Sequence, residues 1–153
     1  MMPLRLVLDT NVWLDWLVFN DPGIAAISRA VEAEDAKIFA TVACEQELMR
    51  VLTYPMRKVA LDADTQAACL AQFRRMARPL ENASCGDSAE LPRCADADDQ
   101  KFLELARDCR ADFLITRDRD LLVFARRKYQ PLPFHIVTPP QFASARAGAP
   151  AAA

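Results

Sequence analysis

The chain has 153 residues and a mass of 17.1 kDa, enough for one proper core and too little for two ordinary domains. Its 52% hydrophobic and 26% charged residues match a soluble globular protein, and no run approaches the ~18 consecutive apolar residues of a membrane span. A net charge of -2 and a pI near 5.4 argue against a general nucleic-acid coat. The N-terminal apolar run is short and broken by Arg5 and Asp9, so no secretory leader is expected and a cytoplasmic location is the default.

In chain order, Leu4 to Leu8 reads as a buried strand, followed by a helix from Val12 to Val18 with Asn11 as its cap. A second helix is predicted over Ile24 to Glu34 and a short strand over Lys37 to Thr41. Thr41 is placed to cap the next helix, whose Cys44, Leu48, Val51 and Leu52 keep the i, i+4, i+7, i+8 stripe and which ends at Tyr54-Pro55. Asp64 to Arg78 is another amphipathic helix, with Leu70, Phe73 and Ala77 on one side and Pro79 stopping it. The segment from Glu81 to Ala95 is a loop by composition. Asp96 to Asp99 opens a helix carrying Phe102, Leu105, Ala106 and Cys109. "DFLIT", Asp112 to Thr116, is a clear strand, and "RDRDLLVFARRK" a helix introduced by Asp118 and Asp120. "FHIVT" is a last strand. The fold domain is placed at residues 1–142, and residues 143–153 are an Ala-rich tail that need not pack. Strands alternating with helices imply an α/β fold with a mainly parallel sheet.

The five cysteines form no C-x-x-C pair, and their odd number argues against a zinc knuckle or a complete disulfide framework. His135 is the only histidine and reads as structural. Basic clusters from Arg57, from Arg74, around Arg117 and Arg119, and from Arg126 read as solvated helix faces.

Both best strands run into an acid: "LRLVL" into Asp9, and "DFLIT" toward Asp118. In an open parallel sheet, ligands bind outside the carboxyl ends of the strands, where loops and helix N-termini converge. Asp99 lies in the first turn of its helix, and Glu47 borders the buried stripe of its own. Caps and dipole partners account for Asp96, Asp98 and Asp120. They account poorly for Asp9, which follows a buried strand, and for Glu47, which is inside a helix beside apolar positions. Two like charges at 4 Å repel by about 4 kcal/mol at an effective dielectric of 20, a penalty that a hard divalent cation would remove. Oxygen-only ligation suits Mg²⁺ or Mn²⁺ rather than zinc.

"VLDTNV" at Val7, "TVACEQEL" at Thr41, "DADDQKFLELA" at Asp96 and "LITRDRDLL" at Leu114 resemble, in order, the four motifs of the PIN domain, and within it the bacterial toxin components of toxin-antitoxin systems. The resemblance implies a three-layer α/β/α sandwich with a mainly parallel central sheet. It also implies that Asp9, Glu47, Asp99 and Asp118 form an acidic quartet binding Mg²⁺ or Mn²⁺, braced by Asn11 and Thr116. Two positions depart from the group's usual pattern: Ala97 stands where D-P-x-D has proline, and Arg117 where T-G-D has glycine. Arg117 either contacts a phosphate or points into solvent.

The function so implied is a metal-dependent endoribonuclease acting on single-stranded RNA, the toxin of a toxin-antitoxin pair, homodimeric, with a small antitoxin as partner and no membrane. The helix from Asp64 to Arg78, with its apolar stripe and Arg-rich flank, also favours a homodimer. Two alternatives stand beside it: a non-catalytic PIN-like binding module, and a phosphatase with Asp9 as nucleophile. The phosphatase wants a second Asp where this chain has Asn11.

Overall fold

The computed structural model describes residues 2–55, 60–80 and 90–148. Five strands, β1 (Leu4–Leu8), β2 (Ala36–Ala40), β3 (Ala77–Pro79), β4 (Phe113–Ile115) and β5 (His135–Val137), form one sheet in the order β3-β2-β1-β4-β5. Every pairing is parallel, with Leu6 opposite Ile38 on one side and Phe113 on the other. The central strand β1 is buried from Leu6 to Leu8, as a parallel strand covered on both faces must be.

Side chains alternate between the two faces of the sheet, and the helices cover both. On one face Arg5 lies over the Phe39 ring, 4.4 Å from its centroid, and donates to the Cys109 carbonyl at 2.6 Å, where α5 (Gln100–Asp108) ends. On the other, Phe113 meets Phe142 of α7 (Pro139–Gly148) edge-on at 5.5 Å. The α/β/α sandwich expected from the sequence is thus the fold observed. Trp13 of α1 (Thr10–Leu17) packs edge-on against Phe73 of α4 (Ala63–Met76) at 4.6 Å, alongside α3 (Val42–Leu52). The remaining helices are α2 (Ala25–Glu32), which packs on α7, and the single turn α6 (Arg119–Leu122). No described helix is long and apolar enough to cross a membrane.

Several elements differ from their sequence reading. Asp9, not Asn11, caps α1, because its carboxylate reaches the amides of Asn11 and Val12 and the helix therefore starts at Thr10. The helix expected from Ile24 to Glu34 has a 3₁₀ turn at Pro22–Ile24 and α-helix only to Glu32. The helix expected to run to Arg78 ends at Met76, and Ala77–Pro79 instead pairs with β2 as an edge strand, where Pro79 can be tolerated. Phe73 of the expected stripe is buried, as is Cys69 on the same helix, so both serve the core. The helix expected after Asp118 stops at Leu122 and continues as two 3₁₀ turns, Val123–Ala125 and Arg127–Tyr129. The boundary expected at Phe142 falls inside α7, and Arg146 pairs with Asp35 at 3.2 Å. Arg57, most of the loop expected from Glu81 to Ala95, and residues 149–153 lie outside the described residues.

Candidate metal centre

From β1 the chain steps outward through β2 to β3, then returns to the far side of β1 at β4 and steps outward to β5. The direction of winding reverses between β1 and β4, and a crevice opens at their carboxyl ends. Asp9 follows β1 immediately, and Asp118 follows β4 after Thr116 and Arg117.

Asp9 is 3% exposed, and both its oxygens are engaged. Oδ1 accepts from the amides of Asn11 at 2.7 Å and Val12 at 3.4 Å, and Oδ2 accepts from the hydroxyl of the fully buried Thr116. The same hydroxyl oxygen accepts from the Asp118 amide at 2.9 Å, so one threonine ties the two strand ends together. Burial pushes the Asp9 carboxyl up to about 6 against the pull of these hydrogen bonds, with a smaller push from the charge of Asp118.

Asp99, Asp118 and Asp120 each offer a carboxylate oxygen within 4.8 Å of the others. Asp118 caps α6 by accepting from the Asp120 amide at 2.9 Å, and that turn brings the Asp120 side chain round to the same side. Asp99 ends a short 3₁₀ turn, Ala97–Asp99, at the entrance to α5. Its Oδ2 is buried without a hydrogen-bond partner. Desolvation, the Asp118 charge and hydrogen bond, and the charges of Asp96 and Asp9 together push the Asp99 carboxyl up to about 7.

Glu47 stands apart from this trio. Its Oε2 accepts from the Thr10 hydroxyl, and its Oε1 pairs with the Lys101 ammonium at 2.6 Å, with the Arg50 guanidinium at 4.0 Å. Lys101 also donates to the Asp98 carbonyl at 2.5 Å. Because Thr10 follows Asp9 directly, the Glu47 carboxylate is joined to the Asp9 end of the site.

Asn11 contributes its backbone amide to Asp9, and the residue is exposed. Arg117 neither points into solvent alone nor reaches toward the trio. It turns back onto α1, with Nε 2.7 Å from Asp15 and Nη2 3.7 Å from Asp21. Sequence reasoning missed three residues, Thr10, Lys101 and Asp120. Asp120 had a usable signal, since an acid two residues after a capping Asp lies in the same turn. Thr10 and Lys101 had none, because their partner Glu47 lies on another element.

The donor set suits a hard divalent cation, being all oxygen, with the Asp9 and Asp99 carboxyls both pushed above the ordinary carboxylate range and one buried oxygen lacking any hydrogen-bond partner. Asp99, Asp118 and Asp120 could hold such an ion, with Asp9 adjoining them through Thr116.

Comparison with known proteins bears on the fold and the family. Among solved structures, a chain in the crystal structure of VapBC2 from Rickettsia felis, bound to a DNA fragment from their promoter, superposes with a TM-score of 0.59. It is 12% identical, and the match covers 88% of this chain and 98% of that one, a likeness of fold. No curated protein matches the sequence. The sequence profile of the PIN domain, however, matches residues 5–120, which take in β1, the crevice and all five acids described above. By that match the chain belongs to the PIN domain family.

Proposed function

We propose that the protein is a Mg²⁺- or Mn²⁺-dependent endoribonuclease that hydrolyses phosphodiester bonds of single-stranded RNA, and that it is the toxin of a toxin-antitoxin pair. The observation that carries this reading is the oxygen-only cluster of Asp99, Asp118 and Asp120 at the switch point of the sheet, with Asp99 Oδ2 buried and unpartnered.

A divalent ion, when bound, would lower the pKa of a water and offset charge building on the phosphoryl group. The chain's own residues supply the rest. Asp99, Asp118 and Asp120 present oxygens from two elements fixed by α5 and α6. Thr116 sets the distance between the β1 and β4 ends and keeps Asp9 oriented. Exposed Arg93 and Arg119 flank the trio along the chain and offer charge to an RNA backbone. Asp9 is poorly placed as a phosphatase nucleophile, because both its oxygens accept hydrogen bonds inside a buried pocket.

The likeness to the Rickettsia felis VapBC2 structure supports a small antitoxin as partner; homodimerisation and a cytoplasmic location complete the proposal. The test is incubation of the purified chain with a single-stranded RNA carrying a fluorophore and a quencher, in Mg²⁺, Mn²⁺ or excess chelator. Cleavage in either metal and none in chelator is expected. Metal binding without cleavage would favour the non-catalytic module instead.

A further inference from the structure

The geometry points to Lys101 as a built-in cation that takes the place of a second metal ion, so that the centre works with a single divalent ion. The inference rests on the nuclease reading above and adds to it the number of ions and the residue that sets it.

Carboxylate-rich phosphodiesterase sites commonly use two ions about 4 Å apart, one on each side of the reacting phosphate. Apart from Asp9, whose two oxygens already accept hydrogen bonds, the acids here divide into two groups. Asp99, Asp118 and Asp120 form the open group, with a buried oxygen unpartnered. Glu47 forms the other, and its capacity is already filled: Lys101 at 2.6 Å on Oε1, the Thr10 hydroxyl on Oε2. A second ion on the Glu47 side would have to displace the ammonium or sit against it, and the repulsion of two cations at contact distance opposes both.

Lys101 is also fixed rather than swinging free. Its side chain is 22% exposed, that of Glu47 12%, and the Asp98 carbonyl at 2.5 Å holds the ammonium from the other side. The position is set by α5, the helix that Asp99 leads into, so one element places both Lys101 and Asp99. A plain strut between α3 and α5 would need only the ion pair. The additional feature is its place: the ammonium neutralises the acid that lies outside the metal-holding trio, and Thr10 links that acid to Asp9.

The test is metal stoichiometry on the full chain, by Mn²⁺ titration followed by electron paramagnetic resonance and calorimetry near pH 8, for four proteins. Wild type is expected to bind one Mn²⁺. Lys101→Met, which removes the charge and keeps most of the stem, is expected to bind two, with the spectrum of a spin-coupled pair. Lys101→Arg should return to one, and Lys101→Met combined with Glu47→Gln should also bind one, because the freed carboxylate is then gone. A strut alone would lower the melting temperature of Lys101→Met and leave the count at one, which overturns the inference. Two ions on wild type overturn it without any variant, so a variant that fails to fold does not protect it. A wild type that binds no Mn²⁺ is a different failure, that of the nuclease reading itself.

Discussion

Thr116 and Asp9 are 107 residues apart in the chain, yet the threonine hydroxyl donates to the aspartate's Oδ2 deep in the core. The bond depends on β1 and β4 being neighbours, and through the Asp118 amide it also sets where α6 begins. Thr116→Val keeps the shape and removes the hydroxyl. It leaves the Asp118 amide without its acceptor and Asp9 Oδ2 without its donor, and we expect a loss of about 1–3 kcal/mol in chemical denaturation. Thr116→Ser should restore most of the stability and the metal affinity together.

The same carboxyls give the metal-free protein an unusual pH dependence. Asp9 at about 6 and Asp99 at about 7 both lie above the ordinary 3.8. Between these values the folded state holds protons more tightly than the unfolded chain. The stability they contribute is fully present below the unfolded pKa and is lost as pH rises through the folded values. Melting temperature in chelator should therefore fall between about pH 4 and pH 7 and level off above that. Mn²⁺ competes with those protons, so its affinity should rise over the same interval, and a melting temperature that climbs with pH in chelator would contradict the assignment.

Asp9 is both the cap of α1 and a neighbour of the metal-holding trio, and two substitutions separate the roles. Asp9→Asn retains an oxygen for the Asn11 and Val12 amides, so metal-free melting should hardly change. Metal-dependent RNA cleavage should fall beyond the roughly 10–100-fold typical of an outer-shell partner. Asp9→Ala removes the cap as well and should lose about 0.5–2 kcal/mol in addition. Full cleavage by the Asn variant would remove Asp9 from the reaction.

Arg117 faces Asp15 and Asp21 rather than the trio, and its side chain is 41% exposed. An ion pair so open to solvent contributes about 0–1 kcal/mol. Arg117→Ala should accordingly cost little stability and leave the KM for RNA unchanged. A marked rise in KM would show that the guanidinium leaves α1 to bind a phosphate.

At the C-terminus, Phe142 is fully buried, whereas Arg146 reaches Asp35 only at the surface. Truncation after Gly148 should leave folding and metal binding intact. Truncation after Phe142 removes the exposed pair together with the C-terminal part of α7, and should lower the urea midpoint relative to truncation after Gly148.

The sequence disclosed what local pattern encodes. Leu4 to Leu8 shows its burial in its own composition, Thr41 shows its cap by its position before an apolar stripe, and Asp118 shows its place by following an apolar strand. It disclosed less where a partner decides the outcome. Ala77 continues a helical stripe after Leu70 and Phe73, and only the open edge of β2 draws it into β3. Asn11 and Asp9 are both good caps, and the choice between them follows from where β1 stops. Lys101 looks like any solvated lysine until α3 brings Glu47 alongside. Asp120 reads in the sequence as a dipole partner because a capping acid and a ligand have the same residue type, and only the turn of α6 distinguishes them.

The placing of β4 beside β1 has a consequence for the protein's own synthesis. A ribosome makes Asp9 well before Thr116, Asp118 and Asp120, which emerge only after four strands and five α-helices have been made. Until then the β1 edge that β4 will occupy has no partner, and joining the two ends means closing a loop of more than a hundred residues, a slow and entropically costly event. A growing or prematurely ended chain therefore carries the acids of its first half without the centre they belong to. Any chemistry the centre performs on RNA therefore waits until β4 and the turn of α6 have emerged and docked beside β1.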